Sequence, residues 1–160
     1  MYTRERNNFK LKKLLKFNSR FLLVICIILI LRIFFVPFFV IGPSMQPTLQ
    51  NGNFGIAQKF RDIKRNDIVL IKNKATKKTI IKRVIGLPGE KVEYKDNKLY
   101  INNKEYSDKF SKVTGDYSIT LADNQYCCLG DNRLVSADSR TFGSFSKDDI
   151  KSNCLVYIRW

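Results

Sequence analysis

Residues 21–41 form an apolar run with a single charged side chain, Arg32. A helix needs about 20 apolar residues to cross the hydrocarbon core of a bilayer, so the run predicts one transmembrane helix over residues 21–40. Pro37 has no backbone N–H and is expected to end this helix, so that the chain leaves the membrane in extended form. Arg32 lies near the far end, where its long side chain can reach the headgroups.

The charges that precede the run predict its orientation. Residues 1–20 hold seven lysines and arginines against one acid, Glu5. Basic flanks stay on the cytoplasmic side, so residues 1–20 are expected in the cytoplasm and residues 41–160 outside it. A cleaved leader is the alternative, since residues 42–44 could serve as a small-residue cleavage site. The apolar core exceeds the roughly 7–15 residues of such leaders, which favours an uncleaved anchor.

The chain beyond the run has the pattern of a mostly β domain. Short alternating or branched segments are separated by turn pairs, and Asp96-Asn97 predicts a hairpin between two of them. A short helical turn capped by Ser146 is expected at residues 146–150. The predicted strands are residues 54–60, 67–72, 78–85, 91–94, 98–101, 126–129 and 154–160.

Net charge and cysteines limit the partners. The formal charge of +15 indicates an acidic partner, and the basic cluster beside the apolar run favours membrane lipids over specific nucleic-acid binding. Cys26 lies in the run, whereas Cys127, Cys128 and Cys154 fall on strand-like segments. These three are expected to be small buried hydrophobes, or to include one bridge from Cys154 to a member of the pair. Their spacing predicts no metal site.

The chain contains no histidine, which excludes a Ser-His-Asp triad. If Ser44 is a nucleophile, a lysine is the credible acceptor of its proton. Lys82 suits this role because its apolar strand neighbours favour the neutral amine and lower its pKa. Taken singly, Ser44 could be an ordinary turn residue and Lys82 a solvated strand lysine. Residues 130–143 could likewise be a polar surface turn.

Three segments taken together resemble the conserved boxes of bacterial type I signal peptidases. They are residues 41–49 around Ser44, residues 80–90 around Lys82, and residues 130–143, which follow the pattern Gly-Asp-Asn-Arg-x-x-Ser-x-Asp-Ser-Arg-x-x-Gly. The resemblance implies a compact antiparallel β-sheet or barrel catalytic domain with one N-terminal transmembrane helix. It also implies a membrane-bound serine endopeptidase that needs no cofactor and removes signal peptides from exported preproteins.

The resemblance extends to individual residues. It implies that Ser44 forms an acyl-enzyme with Lys82 as general base, that Ser136 orients the lysine, and that Asp138 and Arg140 support the site. The backbone of Ser44 is expected to supply one oxyanion donor. The second donor falls at Gly42, where some family members carry a serine hydroxyl, so backbone or water must serve there.

Substrate recognition follows from the same resemblance. The preprotein is expected to add a β-strand to the enzyme, with small residues at the first and third positions before the cut. The implied pocket residues are Phe38, Ile41, Met45, Leu49 and Ile81. The implied location is the outer face of a bacterial cytoplasmic membrane.

Two other functions fit part of the pattern. A self-cleaving regulatory Ser/Lys protease would be cytosolic, which the apolar run disfavours. A catalytically inactive, membrane-tethered basic β-domain that only binds partners is the alternative from another class. Substitution of Ser44 or Lys82 by alanine distinguishes this binding protein from an enzyme.

Overall fold

The fold was analysed in a computed structural model, which describes residues 2–107, 109–110 and 115–158, with side chains from residue 18 onward. The predicted basic segment 1–20 lies largely outside the described side chains. Residues 1–35 and 36–160 form two compact units. The first unit is dominated by helix α1, Tyr2–Phe34. Among the described residues, no helix combines the length and apolar character needed to span a bilayer.

In the part that the structure describes, the second unit is built from antiparallel strands, with one short helix and one 3₁₀ turn. This confirms the predicted mostly β, antiparallel fold. The strands are β1 Phe35–Phe39, β2 Phe54–Gln58, β3 Ile68–Lys72, β4 Thr79–Gly86, β5 Lys91–Lys95, β6 Lys98–Ile101, β7 Lys104–Tyr106, β8 Tyr117–Thr120, β9 Gln125–Leu129, β10 Phe145–Ser146 and β11 Ile150–Ile158. The helix is α2, Ser139–Phe142, and the 3₁₀ turn is Lys147–Asp149.

The described strands form two sheets. The larger sheet has the order β1-β2-β11-β3-β4-β9-β10, and the smaller has the order β7-β6-β5-β8. In the larger sheet β4 pairs with β3 along Thr79 to Arg83, but its pairing with β9 begins only at Arg83. One backbone edge of residues 79–82 therefore faces no strand of the described ladder, and Lys82 lies on this stretch.

Three apolar clusters hold the sheets together. One packs the smaller sheet against β9 through residues such as Val92 and Leu129, and another lies around Val69 and Val84. The third includes Phe38, Met45 and Leu49, which are all buried. Since Met45 directly follows Ser44 and Leu49 closes the same segment, burial of this cluster fixes the serine loop on the sheet.

Most predicted strands are present with shifted ends. The Asp96-Asn97 hairpin joins β5 to β6, with positive φ at both turn residues, and Ser146 caps the 3₁₀ turn as expected. The last predicted strand starts earlier, at Ile150, and its predicted final residues 159–160 lie outside the described part. Strands β1, β7, β8 and β10 and helix α2 were not predicted.

The boundary of the apolar segment differs from the prediction. Helix α1 ends at Phe34 and Phe35–Phe39 is strand, whereas Pro37 was expected to end the helix and residues 36–41 were expected to be extended. Pro37 cannot continue a helix, and β2 offers the preceding aromatic and branched residues a pairing partner. The chain therefore becomes extended at Phe35, two residues before Pro37.

Candidate active site

The structure brings Ser44 and Lys82 into direct contact. Lys82 Nζ donates a hydrogen bond of 2.9 Å to Ser44 Oγ, across 38 positions of sequence. Lys82 projects from β4, and Ser44 lies in a tight turn whose next residue, Met45, is buried. The strand and the buried turn therefore hold the amine and the hydroxyl at the distance that proton transfer requires.

The surroundings of Lys82 favour its neutral form. The residue is only 3% exposed. Burial lowers the pKa of its amine, and this effect outweighs the negative charges of Asp138 and Asp131, which act in the opposite direction. The positive charge of Arg140 adds to the lowering. The arrangement thus gives Lys82 basic character at a lower pH than an exposed lysine has.

Asp138 and Arg140 form the predicted charged pair. Asp138 is fully buried and accepts hydrogen bonds from Arg140 Nε and Nη2, both at 2.8 Å. The same carboxylate accepts the Gly130 amide at 2.9 Å. Burial alone would raise the pKa of Asp138, but the bonds from Arg140 and Gly130 outweigh it and leave the pKa below its usual value. The pair therefore ties the two ends of the third segment together.

A second charged pair, not anticipated from the sequence, joins the lysine strand to the third segment. Arg83 Nε and Nη2 donate to the two carboxylate oxygens of Asp131 at 2.8 and 2.7 Å. Asp131 is fully buried. The signal was present in the sequence, since Arg83 must point away from Lys82 on an alternating strand. The position of its acidic partner, 48 residues later, could not be read from that pattern.

Ser136 does not occupy the expected position in the hydrogen-bond network. Its resemblance-based role was to bond the Lys82 ammonium, but Ser136 Oγ is buried and forms no hydrogen bond with Lys82 within the described residues. The hydroxyl packs closely over Gly130, where an added Cβ would lie 2.1 Å from Oγ. It makes a small contribution to the low pKa of Asp138.

Gly42, the expected second oxyanion position, has its amide already engaged. The Gly42 N–H donates to Asn51 Oδ1 at 2.9 Å, with φ of +93° at the glycine. The Gly42 amide is therefore committed to Asn51 rather than directed at a reacting carbonyl. The Ser44 carbonyl accepts a bond from the Asn132 amide at 3.0 Å, which docks the third segment against the serine turn. Asn51 was missed because its contact depends on the turn that follows Leu49.

A cavity of about 380 Å³ opens over the serine and the lysine. Four of the five predicted pocket residues line it together with Ser44 and Lys82: Phe38, Ile41, Met45 and Ile81. Leu49 does not line this cavity. It is fully buried in the same apolar cluster as Met45.

The described cysteines and acids add no further chemistry at this site. All four cysteines are free thiols in the described part of the chain, so the alternative of a Cys154 bridge is not realised. Burial raises the pKa of Cys127 to about 12, consistent with a small packed side chain. Among the described residues no group of three His, Cys, Asp or Glu side chains is arranged to hold a metal ion.

A serine at the mouth of an apolar cleft on an antiparallel β-domain is an arrangement found in serine peptidases. The family described as "Signal peptidase, peptidase S26" matches residues 14–159. The chain therefore belongs to the signal peptidase family, peptidase S26, and the prediction of a peptidase is confirmed.

Individual relatives agree with this assignment. The chain is 38% identical to signal peptidase I V of Bacillus subtilis strain 168, covering 88% of this chain and 95% of that protein. It is 33% identical to signal peptidase I of Streptococcus pneumoniae serotype 4, over 90% of this chain and 91% of the relative. A crystal structure of a signal peptidase I from Enterococcus faecalis V583 superimposes with a TM-score of 0.53 at 32% identity, covering 58% of this chain and 97% of that one.

Proposed function

We propose that this chain is a membrane-anchored endopeptidase that removes signal peptides from exported preproteins, with Ser44 as nucleophile and Lys82 as general base. The observation that carries the proposal is the 2.9 Å contact between Lys82 Nζ and Ser44 Oγ in a largely buried setting. The names of the relatives support the substrate class.

The first chemical step is acylation. The neutral amine of Lys82 accepts the hydroxyl proton as Ser44 Oγ attacks the scissile carbonyl, and the resulting ammonium donates a proton to the leaving amine. An acyl-enzyme remains on Ser44. Lys82, neutral again, then removes a proton from the water that hydrolyses the ester, and the proton returns to Ser44 Oγ.

Substrate binding uses the open edge of the larger sheet. The cavity lies between the β1 segment and residues 79–82, whose outer backbone edge faces no strand of the described ladder. An extended preprotein segment can pair with this edge, and its alternate side chains then enter the apolar cavity. Phe38 and Ile81 line this cavity and limit its depth, so small residues at the first and third positions before the cut are expected to fit.

The anchor places this chemistry at the membrane. The apolar run carries one charge in 21 residues, and large side chains of α1 such as Phe21 and Leu29 are about 60% exposed. Exposed apolar surface of this extent is stable in lipid rather than in water. The basic residues before the run favour a cytoplasmic N-terminus, and the β-domain then lies at the outer face of the cytoplasmic membrane. Anionic lipids and preproteins are the expected partners.

The test uses the full chain in detergent and a preprotein with alanine at the first and third positions before the cut. Cleavage is expected to require both Ser44 and Lys82, whereas Lys72→Ala at the exposed end of β3 serves as the matched lysine control. For the unmodified enzyme kcat/KM should rise with pH through the lowered pKa of Lys82, since only the neutral amine is a base. A flat profile from about pH 6 to 9 together with an active Lys82→Ala variant refutes the dyad. Substrate binding with no cleavage by the unmodified chain indicates the binding protein instead.

A further inference from the structure

A second groove, of about 330 Å³, lies between the loop that follows β2 and the start of β11. Its walls share a positive charge: four of the lining residues are cationic and one carries a carboxylate. The cations are Lys59, Arg61, Lys147 and Lys151, and the acid is Asp148. None of them belongs to the catalytic residues, and the groove shares no lining residue with the cleft over Ser44.

The four cations are not neutralised by neighbouring acids. Within the described residues none of them forms an ion pair with a carboxylate, and Lys151 Nζ instead donates to the backbone carbonyl of Asp148 at 2.6 Å. The nearby carboxylate of Asp149 is occupied by Lys74 at 3.0 Å. The groove therefore keeps an excess of positive charge that favours an anionic ligand.

A buried hydroxyl lines the same groove. Ser152 is 4% exposed, and its Oγ has no hydrogen-bond partner within the described residues. The pairing of β11 with β3 shifts register between Ile150 and Ser152, which places Ser152 and Asn153 side by side in the interior. A buried hydroxyl without a partner costs free energy, and a ligand oxygen in the groove would satisfy it.

The groove is also pre-organised. Asn153, 2% exposed, donates through Nδ2 to the carbonyl of Asp62 and to the carboxylate of Asp67, both at 3.1 Å. These bonds hold the loop after β2 against β11, so the two basic walls keep their separation without a ligand. Binding then requires little ordering of the backbone.

We infer that this groove binds the phosphate of an anionic phospholipid headgroup in the outer leaflet, an inference that rests on the proposed membrane location. Phosphate oxygens match both the cations and the donor hydroxyl of Ser152. Phe60 lies between two of the cations, adopts a φ of +57° and is 82% exposed. A cation–aromatic–cation sequence is suited to the boundary between headgroups and acyl chains.

The experiment measures binding to the full chain in a neutral detergent, with short-chain phosphatidylglycerol, short-chain phosphatidylcholine and inorganic phosphate as separate probes. Saturable binding of phosphatidylglycerol is expected, with weak binding of the other two. The double variant Lys59→Gln/Arg61→Gln should bind about thirtyfold less tightly (about 2 kcal/mol), since each basic residue near an anionic lipid contributes about 1 kcal/mol. The matched control, Lys95→Gln/Lys104→Gln on the smaller sheet, removes the same charge and should leave affinity within about twofold.

Ser152→Ala provides an independent readout. It should weaken phosphatidylglycerol binding about fivefold while leaving thermal stability unchanged or higher, since it removes a buried hydroxyl without a partner. Equal loss in the two charge variants, or an unaffected Ser152→Ala, overturns the site. Equally tight binding of inorganic phosphate overturns the inference that the bound phosphate group belongs to a lipid. Each binding measurement is repeated on the Ser44→Ala variant. If phosphatidylglycerol still binds to this variant and the unmodified chain does not cleave preprotein, only the proposed function is overturned.

Discussion

Removal of the charge of Asp138 should weaken the fold by a predictable amount. In Asp138→Asn the side chain keeps its size, but the Arg140 guanidinium, whose side chain is 14% exposed, loses its counter-charge. Loss of one partner of a buried ion pair costs about 3–5 kcal/mol. Arg140 Nη2 retains the carbonyls of Arg133 and Ser136, at 2.8 and 3.3 Å, so the lower end, about 3 kcal/mol, is expected.

Thermal unfolding of the full chain in detergent at pH 7 measures this effect. For a domain of this size a loss of about 3 kcal/mol corresponds to a Tm lower by roughly 10 °C. The matched control is Asp123→Asn, an exposed acid before β9, which should change Tm by less than about 2 °C. A Tm for Asp138→Asn as close to that of the unmodified chain as the control's would refute the assignment of a buried pair.

The pH dependence gives the sign of the same interaction. The folded-state pKa of Asp138 is below its usual value, so its contribution to stability is present above the unfolded pKa of about 3.9 and is lost as pH falls through the folded pKa. The difference in Tm between the unmodified chain and Asp138→Asn should therefore shrink below about pH 4. A difference that grows on acidification contradicts the lowered pKa.

Three further predictions concern other positions. Gly55→Ala should destabilise the domain by about 1–3 kcal/mol and raise KM, because the added Cβ would lie 2.3 Å from the Phe38 ring in the cleft wall. Denaturant unfolding and steady-state kinetics test this, and an unchanged KM argues against it. Asn51→Ala should lower kcat/KM about tenfold, because it removes the side-chain oxygen that accepts the Gly42 amide. Asn51→Asp keeps this acceptor and should keep most of the activity, so an equal loss of activity in both variants contradicts this role. Cys127, with its pKa raised to about 12 by burial, should resist iodoacetamide at pH 8 until the chain unfolds, as mass spectrometry would show; rapid native labelling contradicts it.

Local patterns in the sequence were sufficient for much of the β-domain. Alternation and turn pairs located seven strands and the hairpin between β5 and β6, because these features depend on neighbours in the chain. The short strand β8 was missed because Tyr117–Thr120 is half exposed and pairs with β5, more than 20 residues away in sequence. The pattern of four residues does not indicate which distant strand they pair with.

The candidate site likewise contains some features that could be predicted from the sequence and others that could not. The contact of Ser44 with Lys82 agrees with what the three segments implied, and it was the combination of those segments, not residue type alone, that selected the pair. The Arg83–Asp131 pair and the Asn51–Gly42 bond depend on how distant loops meet, which one sequence does not encode visibly. The bond expected from Ser136 to Lys82 is not formed within the described residues, and the serine hydroxyl packs over Gly130.

Strand β4 directs two consecutive cationic side chains to opposite faces of the sheet, where they make different contacts. Lys82 donates a hydrogen bond to Ser44, and Arg83 forms an ion pair with Asp131. A slip of one residue in the pairing with β3 would exchange these two faces. An amine that can release its proton would then be replaced by a guanidinium that remains charged at any physiological pH. Single-residue insertions or deletions between the start of β4 and Lys82 should therefore abolish peptidase activity even where the β-domain still folds.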